Sequence, residues 1–523
     1  MVSFQATEEI VLALCFGSIT YGYDFSVIST TLGQPGFYAY FGLTASPKDA
    51  ELYAYSNRII GAINGLFSAG GTFGALGMAW LCESKGRKMA LYVACVFGIV
   101  GGALQAGSVH IAMYLVARLI TGVAVGALVT LVPLFQAEIA PPASRGFLVA
   151  QHGVLIVSGY SIAAWVGFSC YYATNPSFQW RFPLSLQVLW PLIMLCLARW
   201  IPESPRWRQV LVQGRTQEAW TIVARLHQRS DDPEHLFARE EFYQMSRQVD
   251  ADRSMREAMS LKELWTKPSY RKRMICGAIT MFASESTAIL VIYNYSVILY
   301  AGLGNSGSIP LLLSAAYVTC AAIGNYFCSL MIDRVGRVRL LCIGITGCMI
   351  CLIFESALDA QYTGTTNKAG LGAAVFFLFL HIVFYGSCID PTTYVYTSEI
   401  FPTHIRTYGM GFAGAILFLT TIPYLEAAPS AFATIGWKYY LVFITISAVM
   451  IPLIFWYFPE TKGLSLEEIN ELFGDAVVVH LTHISDEEKA ELDAKIKAGE
   501  DPILAAKGAR ADEVERALEI QEK

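Results

Sequence analysis

The chain has 523 residues, of which 54% are hydrophobic and 15% charged, with a mean hydropathy of +0.46 and a formal net charge of −5. A soluble protein could not cover so much apolar surface with polar side chains, so the composition excludes a water-soluble globular fold and indicates a protein that crosses a lipid bilayer many times. The acidic balance gives no reason to expect a nucleic-acid partner.

Twelve apolar segments are long enough to cross a bilayer, at about 20 residues for each crossing. The first begins near Ile10 and has neither the basic start nor the cleavage site of a secretory signal, so we expect it to be retained as a helix. The predicted spans are residues 10–31, 59–81, 89–109, 111–133, 147–170, 182–201, 274–299, 309–331, 340–358, 370–396, 408–428 and 438–458. The predicted fold is an all-α membrane protein with twelve transmembrane helices in two six-helix halves.

A polar stretch from Pro202 to Arg273 separates the sixth and seventh spans, and it holds 14 Lys and Arg and 11 Asp and Glu. The predicted domains are an N-terminal half (1–201), a linker of cytoplasmic helices (202–273), a C-terminal half (274–458) and an acidic tail (459–523). With a cytoplasmic N-terminus, the inner loops and tail hold 31 of the 37 Lys and Arg. The positive-inside rule therefore predicts that both termini are cytoplasmic.

Short acidic and basic motifs recur at matching places in the two halves, which indicates an internal duplication. The sequence ESKGRK at 83–88 follows the second span and DRVGR at 333–337 follows the eighth, and two further pairs follow the fourth and tenth spans and the sixth and twelfth. Such charges can join helix ends and release them when the halves move, so they predict a cytoplasmic gate. The alternative is that the basic residues only anchor the topology. The predicted gate residues are Glu83, Arg87, Glu138, Arg145, Glu203, Arg206, Asp333, Arg334, Arg337, Glu399, Arg406 and Glu460.

Together with Gly22-Tyr23-Asp24 in the first span and the segment from Pro133 to Gly146, these motifs resemble those of fungal-type members of the sugar porter branch of the major facilitator superfamily. The resemblance extends to about residue 463. It implies a transporter in the plasma membrane of a fungal cell that alternates access to a central site. The chain has no recognisable phosphate-binding loop, metal-ligand cluster or nucleophile paired with a base, so we predict no enzymatic activity, no cofactor and no metal.

Charged residues inside the spans are candidates for function, because burying an unpaired charge in a bilayer is costly. In proton-coupled sugar porters, an acid that matches Asp24 lies beside an Arg that matches Arg118, so the resemblance implies proton symport through this pair. The alternative is a permanent structural pair that never titrates. Glu285 and Asp390 replace a Gln and a Gly of the family pattern, and each could bind a proton, a cation or substrate hydroxyls, or be a neutral acid that joins two helices.

A sugar site needs donors and acceptors that match each hydroxyl group. At positions where the family has sugar-binding amides, this chain has residues such as His152, Ser284 and Glu285. The first prediction is a sugar or sugar-like small molecule. The alternatives are a non-sugar organic metabolite or acid, taken up or exported, and a sensor that binds sugar without moving it. The predicted substrate-binding residues are Gln151, His152, Tyr160, Glu285, Thr287, Asn294, Asp390 and Tyr394.

Overall fold

A computed structural model of the chain consists of long helices joined by short loops. The structure describes residues 5–44, 49–141, 145–205, 216–226, 238–240, 242, 245, 262–304, 307–365, 367–402, 405–464 and 468–475. In these ranges, twelve helices are long and apolar enough to cross a membrane, and each corresponds to one predicted span. They are α1 (Thr7–Thr31), α2 (Glu51–Lys85), α3 (Arg87–Ala106), α4 (Ile111–Ile139), α5 (Arg145–Cys170), α6 (Pro176–Leu197), α7 (Pro268–Asn294), α8 (Ile309–Val335), α9 (Arg337–Tyr362), α10 (Lys368–Glu399), α11 (Arg406–Phe432) and α12 (Gly436–Tyr457).

The bundle has two sets of six helices, α1–α6 and α7–α12, that meet along two helix pairs. Helix α2 packs along α11, and α5 packs along α8. Large apolar side chains such as Phe73, Trp80 and Trp456 are exposed on the outside of the bundle. An exposed apolar surface of this kind fits contact with lipid, and the prediction of an all-α, twelve-helix membrane protein is confirmed.

The repeated motifs form matching loops at one end of the bundle, which we call the motif end. Gly86, between α2 and α3, has φ 96° and ψ 165°, and Gly336, between α8 and α9, has φ 105° and ψ 159°. Side chains are strained at such positive φ angles, so both loops require glycine. Glu203 accepts a hydrogen bond from the Arg87 N–H at 3.0 Å, and Glu460 accepts one from the Arg337 N–H at 2.8 Å. The repeat in sequence is therefore also a repeat in backbone structure.

Two helices of the second half are irregular near their middle. Helix α7 is interrupted after Glu285, and at the interruption Ala288 has φ 67°, the only positive φ at a non-glycine residue in the described ranges. Helix α10 contains a π-helical turn, Tyr385–Ile389, directly before Asp390. Irregular backbone is tolerated inside a membrane where it is buried in protein or lines a cavity. The His381 ring nitrogen is 2.8 Å from the carbonyl oxygen of Thr287, which gives one freed main-chain group a partner.

The linker contributes the helix Thr216–Leu226, and the Thr7 hydroxyl of α1 donates to the Leu226 carbonyl at 2.5 Å. Helix α7 begins at Pro268, so the last six residues of the predicted linker belong to α7. The predicted gate residue Arg206 and residues 476–523 of the predicted tail lie outside the described residues.

Candidate functional site

A cavity lies between the two halves, where the irregular parts of α7 and α10 face α1, α5 and α8. Its volume, counted as the space that the centre of a water molecule can occupy, is about 30 Å³. The wall is mostly aromatic and aliphatic. The lining residues are Tyr21, Val157, Tyr160, Glu285, Ile289, Leu290, Tyr293, Tyr317, Val318, Ala321, Ile382, Tyr385, Asp390 and Tyr394.

Two carboxylic acids line this cavity, Glu285 at the interruption of α7 and Asp390 after the π-helical turn of α10. Their exposed fractions are 5% and 7%, so both are buried. The Asn325 amide on α8 donates to Asp390 Oδ2 at 2.8 Å. Within the described residues, Glu285 Oε2 has no hydrogen-bond partner. The Asp390 carboxyl group therefore has a hydrogen-bond donor, whereas one oxygen of Glu285 has no partner in the described part of the chain.

Six tyrosines surround the acids. The Tyr160 hydroxyl donates to the Tyr21 hydroxyl at 3.4 Å, and the Tyr385 and Ser284 hydroxyls are 3.0 Å apart. The rings of Tyr160 and Tyr293 are stacked, with their centroids 5.3 Å apart. The wall thus offers aromatic faces and phenol hydroxyls, and the lining residues include no amide side chain.

Four of the eight predicted substrate-binding residues line the cavity: Tyr160, Glu285, Asp390 and Tyr394.

The other four are not among the residues that line it. The Gln151 amide donates to the Phe147 carbonyl one turn earlier, at 3.1 Å, and the Asn294 amide donates to the Leu290 carbonyl at 2.9 Å. The Thr287 hydroxyl donates to the Ser284 carbonyl at 2.8 Å.

His152 lies behind the cavity wall. Its Nδ1 is 2.8 Å from the Ser18 hydroxyl, and its ring packs edge-on against Tyr394, with centroids 4.8 Å apart. His152 therefore contacts a lining residue without lining the cavity itself.

Buried ion pairs join helices within each half at the motif end. Arg87 donates two hydrogen bonds to Glu138, at 3.1 and 2.8 Å, and Arg337 donates two to Glu399 at the same distances. The first pair joins α3 to α4 and the second joins α9 to α10. The predicted acids and bases therefore meet mainly inside their own halves.

Other hydrogen bonds at the motif end cross between the halves. Asp333 on α8 accepts a hydrogen bond from the Phe147 N–H of α5 at 2.9 Å. Thr407 on α11 donates to Glu83 on α2 at 2.7 Å and accepts from Arg87 at 3.3 Å. We call these the cross-half contacts.

The remaining predicted gate residues bind main-chain groups or support these contacts. Arg145 donates to the Leu464 carbonyl at 3.4 Å, and Arg406 donates to the Phe401 carbonyl at 2.9 Å. The Arg334 carbonyl accepts from Lys462 at 2.6 Å. Burial raises the pKa of Glu203, although its hydrogen bond from the Ser204 N–H and the charge of Arg87 oppose the rise.

The far end of the cavity is closed by the short continuation of α7. Tyr293 forms a hydrogen bond with Ser26 on α1, and its ring stacks on Tyr160 of α5. Contacts between the halves therefore lie on both sides of the cavity.

Comparison with known proteins identifies the family. The family model described as "Sugar (and other) transporter" matches residues 10–473. The chain belongs to this family. It is 31% identical over 478 residues to the MFS-type transporter criB of Aspergillus cristatus, covering 91% of this chain and 96% of that protein. It is 28% identical over 475 residues to the sugar transporter STL1 of Saccharomyces cerevisiae, covering 89% of this chain and 81% of that protein.

Solved structures agree with the fold. A structure of the proton:xylose symporter XylE bound to 6-bromo-6-deoxy-D-glucose has a TM-score of 0.78 and 21% sequence identity, covering 89% of this chain and 98% of that chain. The chain is thus a multi-pass membrane protein with the fold of the major facilitator superfamily, and its family and fold are those of transporters.

In this member of the sugar transporter family, the predicted coupling pair has an unexpected geometry. Arg118 Nη1 donates to the main-chain carbonyl of Asp24 at 3.2 Å, and the guanidinium carbon lies 4.0 Å from the centre of the Phe67 ring. Asp24 is fully buried, and its two carboxylate oxygens have no hydrogen-bond partner among the described residues. The two residues are neighbours, but the expected carboxylate–guanidinium ion pair is absent from the described part of the chain.

The eight predicted substrate-binding residues omit several residues that line the cavity, among them Tyr21 and Tyr385. Tyr21 lies three positions before Asp24, so helical spacing was an available signal. Tyr385 begins the π-helical turn, and no sequence pattern predicted that turn.

Proposed function

We propose that this protein is a secondary transporter that moves a sugar or sugar-like small molecule across the membrane by alternating access, coupled to protons. The observation that carries the proposal is the cavity between the halves, with Asp333 and Phe147 in contact on one side and Tyr293 and Ser26 on the other. Breaking one set of contacts at a time would expose the cavity to one side of the membrane at a time.

Asp24 is the proposed proton carrier. A buried carboxylate without a hydrogen-bond partner is stabilised by taking up a proton, whereas a nearby guanidinium favours its ionised form. Arg118 donates to the Asp24 main-chain carbonyl and not to its carboxylate, so a small movement of α1 against α4 would bring the guanidinium to the carboxylate or take it away. The protonation of Asp24 would thereby depend on the conformation, as proton coupling requires.

A second candidate is a non-sugar organic metabolite. The observation that favours it is the lining of the cavity, which has two carboxyl groups and six tyrosines but no amide side chain. The printed name of the relative criB, an MFS-type transporter, specifies no sugar.

The proposed orientation places the motif end and both termini in the cytoplasm, and the proposed location is the plasma membrane of a fungal cell. The excess of Lys and Arg in the motif-end loops and tail supports this orientation.

Uptake of labelled hexoses, pentoses, disaccharides, polyols and organic acids into transporter-null cells tests the proposal, at acidic and neutral external pH and with a protonophore. We expect saturable uptake of a sugar or polyol that the protonophore abolishes. Uptake that is insensitive to the protonophore would contradict proton coupling. Absence of uptake of every compound, by protein shown to be at the surface, would contradict sugar transport.

A further inference from the structure

The charges that line the central cavity are unbalanced. Glu285 and Asp390 contribute two carboxyl groups, and the lining residues include no Lys, Arg or His. The exposed fraction of Glu285 is 5%, and its Oε2 has no hydrogen-bond partner among the described residues. An ionised carboxylate in so dry a site is costly unless a positive charge or a proton compensates it.

The wall around the acids fits a positive charge better than it fits a neutral polyol. Tyr160, Tyr293 and Tyr394 line the same cavity as the two acids, and aromatic rings attract cations within about 6 Å of the ring centre. The phenol hydroxyl of Tyr317 also has no hydrogen-bond partner in the described ranges, so it can accept a hydrogen bond from a bound solute. Aliphatic residues such as Leu290 and Val318 complete the wall.

We propose that the cavity selects a small organic amine in its ammonium form, with the positive charge beside Glu285 and Asp390 and the carbon skeleton against the tyrosine rings. This inference rests on the proposed transport function and narrows its substrate to one class, which includes amino sugars. Asn325 donates to one oxygen of Asp390, which leaves Glu285 as the principal acceptor for the ammonium group.

Pairs of ligands that differ mainly in charge test the proposal on purified full-length protein. We would measure binding of glucosamine against N-acetylglucosamine, and of phenethylamine against 2-phenylethanol, by ligand-induced thermal stabilisation at a pH where both amines are charged. We expect each amine to bind at least about tenfold more tightly than its neutral partner, as for a hydrogen bond to a charged group. Equal binding within both pairs, or no binding of either amine, would overturn the proposal.

Two variants test whether Glu285 causes the preference for the amines. E285Q keeps the size of the side chain and removes the charge, and we expect it to reduce the preference for the amines about tenfold or more. E355Q removes another buried acid, at 3% exposure on α9, which does not line the cavity, and we expect it to keep the preference. An unchanged preference in E285Q, measured on folded protein, would also overturn the proposal.

Uptake into proteoliposomes separates this proposal from the proposed function. Amine binding without uptake of glucosamine would show that the transport function is wrong while the ligand class is right. Uptake of glucose with no preference for glucosamine would show that the transport function is right while the ligand class is wrong.

Discussion

Asp333 on α8 accepts a hydrogen bond from the main-chain N–H of Phe147 at 2.9 Å, and this contact joins the second half of the bundle to the first turn of α5 in the other half. Arg337 lies 2.9 Å from the other oxygen of the same carboxylate, so the ion pair within one half orients the acid that contacts the other half. A Cβ atom on Gly146 would lie 1.9 Å from Asp333 Oδ1, so only glycine permits this approach.

We predict that D333A opens the motif end. A hydrogen bond to a charged group contributes about 1.5–3 kcal/mol, so losing it should shift the conformational equilibrium at least about tenfold. Cys328, fully buried among residues of α5, α8 and α10, is a native reporter. We expect faster maleimide labelling of Cys328, measured by mass spectrometry on purified protein. E51A, which removes an exposed acid at the start of α2, is the control. Equal labelling rates in D333A and wild type would show that this contact does not hold the end closed.

We predict that E138Q strongly destabilises the fold. Arg87 is 1% exposed and Glu138 is 2% exposed, so neutralising the acid leaves a buried guanidinium without its main partner. Breaking such a pair costs about 3–5 kcal/mol. Thermal unfolding in detergent measures the loss, and K88A is the control because Lys88 is partly exposed and its ammonium group donates to the Arg199 carbonyl. A midpoint for E138Q within error of K88A would contradict a structural role of the pair.

We predict that Y293F opens the far end of the cavity. The variant keeps the ring that stacks on Tyr160 but loses the hydroxyl that binds Ser26. Because Val157 lines the cavity, labelling of V157C reports access to it. We expect labelling several times faster in V157C/Y293F than in V157C alone. The control is Y326F, at a tyrosine of α8 that is 51% exposed and does not line the cavity. No difference between the two tyrosine variants would contradict a closing role for the Tyr293 hydroxyl.

We predict that D475N loosens the segment after α12 from the start of α7. Asp475 accepts hydrogen bonds from Ser269 at 2.9 Å and Arg273 at 2.7 Å, and Lys267 lies 2.9 Å away. Burial alone would raise the pKa of Asp475, but the hydrogen bond from Lys267 and the charge of Arg273 outweigh burial and lower it. The expected loss is about 1 kcal/mol, because the acid is partly exposed.

The lowered pKa of Asp475 fixes the pH dependence of this effect. Its stabilisation is complete above the unfolded pKa of about 3.9 and is lost as the pH falls through the lower folded pKa. The difference in melting temperature between wild type and D475N should therefore stay constant from about pH 5 to 8. E471Q, at an exposed acid of the same segment, should show no loss. A loss of equal size in E471Q would attribute the effect to overall charge.

Hydrophobic segments and repeated motifs predicted the fold, because length and apolar content alone decide which helices can cross a bilayer. They could not predict which helix faces meet at the centre. Gln151 and His152 are adjacent, yet one bonds to its own helix and the other packs behind Tyr394. Helix α7 is interrupted near Ala288, and Leu290 and Tyr293 line the cavity whereas Thr287 and Asn294 do not.

The sequence predicted the ion pairs at the helix ends but not the contacts between the halves. The motifs predicted that acids and bases would meet at the helix ends, and Arg87 and Glu138 do so. The contacts between the halves depend on a main-chain N–H at Phe147 and a hydroxyl at Thr407, and neither group has a charge that sequence reasoning could match.

Proton movement during solute entry is the decisive test of proton-coupled transport. Purified protein is reconstituted into proteoliposomes that contain a pH-sensitive dye, and the compound with the highest uptake in the panel is added outside. We predict that the solute acidifies the lumen with wild-type protein and not with D24N, while D24N still exchanges labelled for unlabelled solute. Solute uptake by wild-type protein without acidification, or equal acidification by D24N, would contradict it.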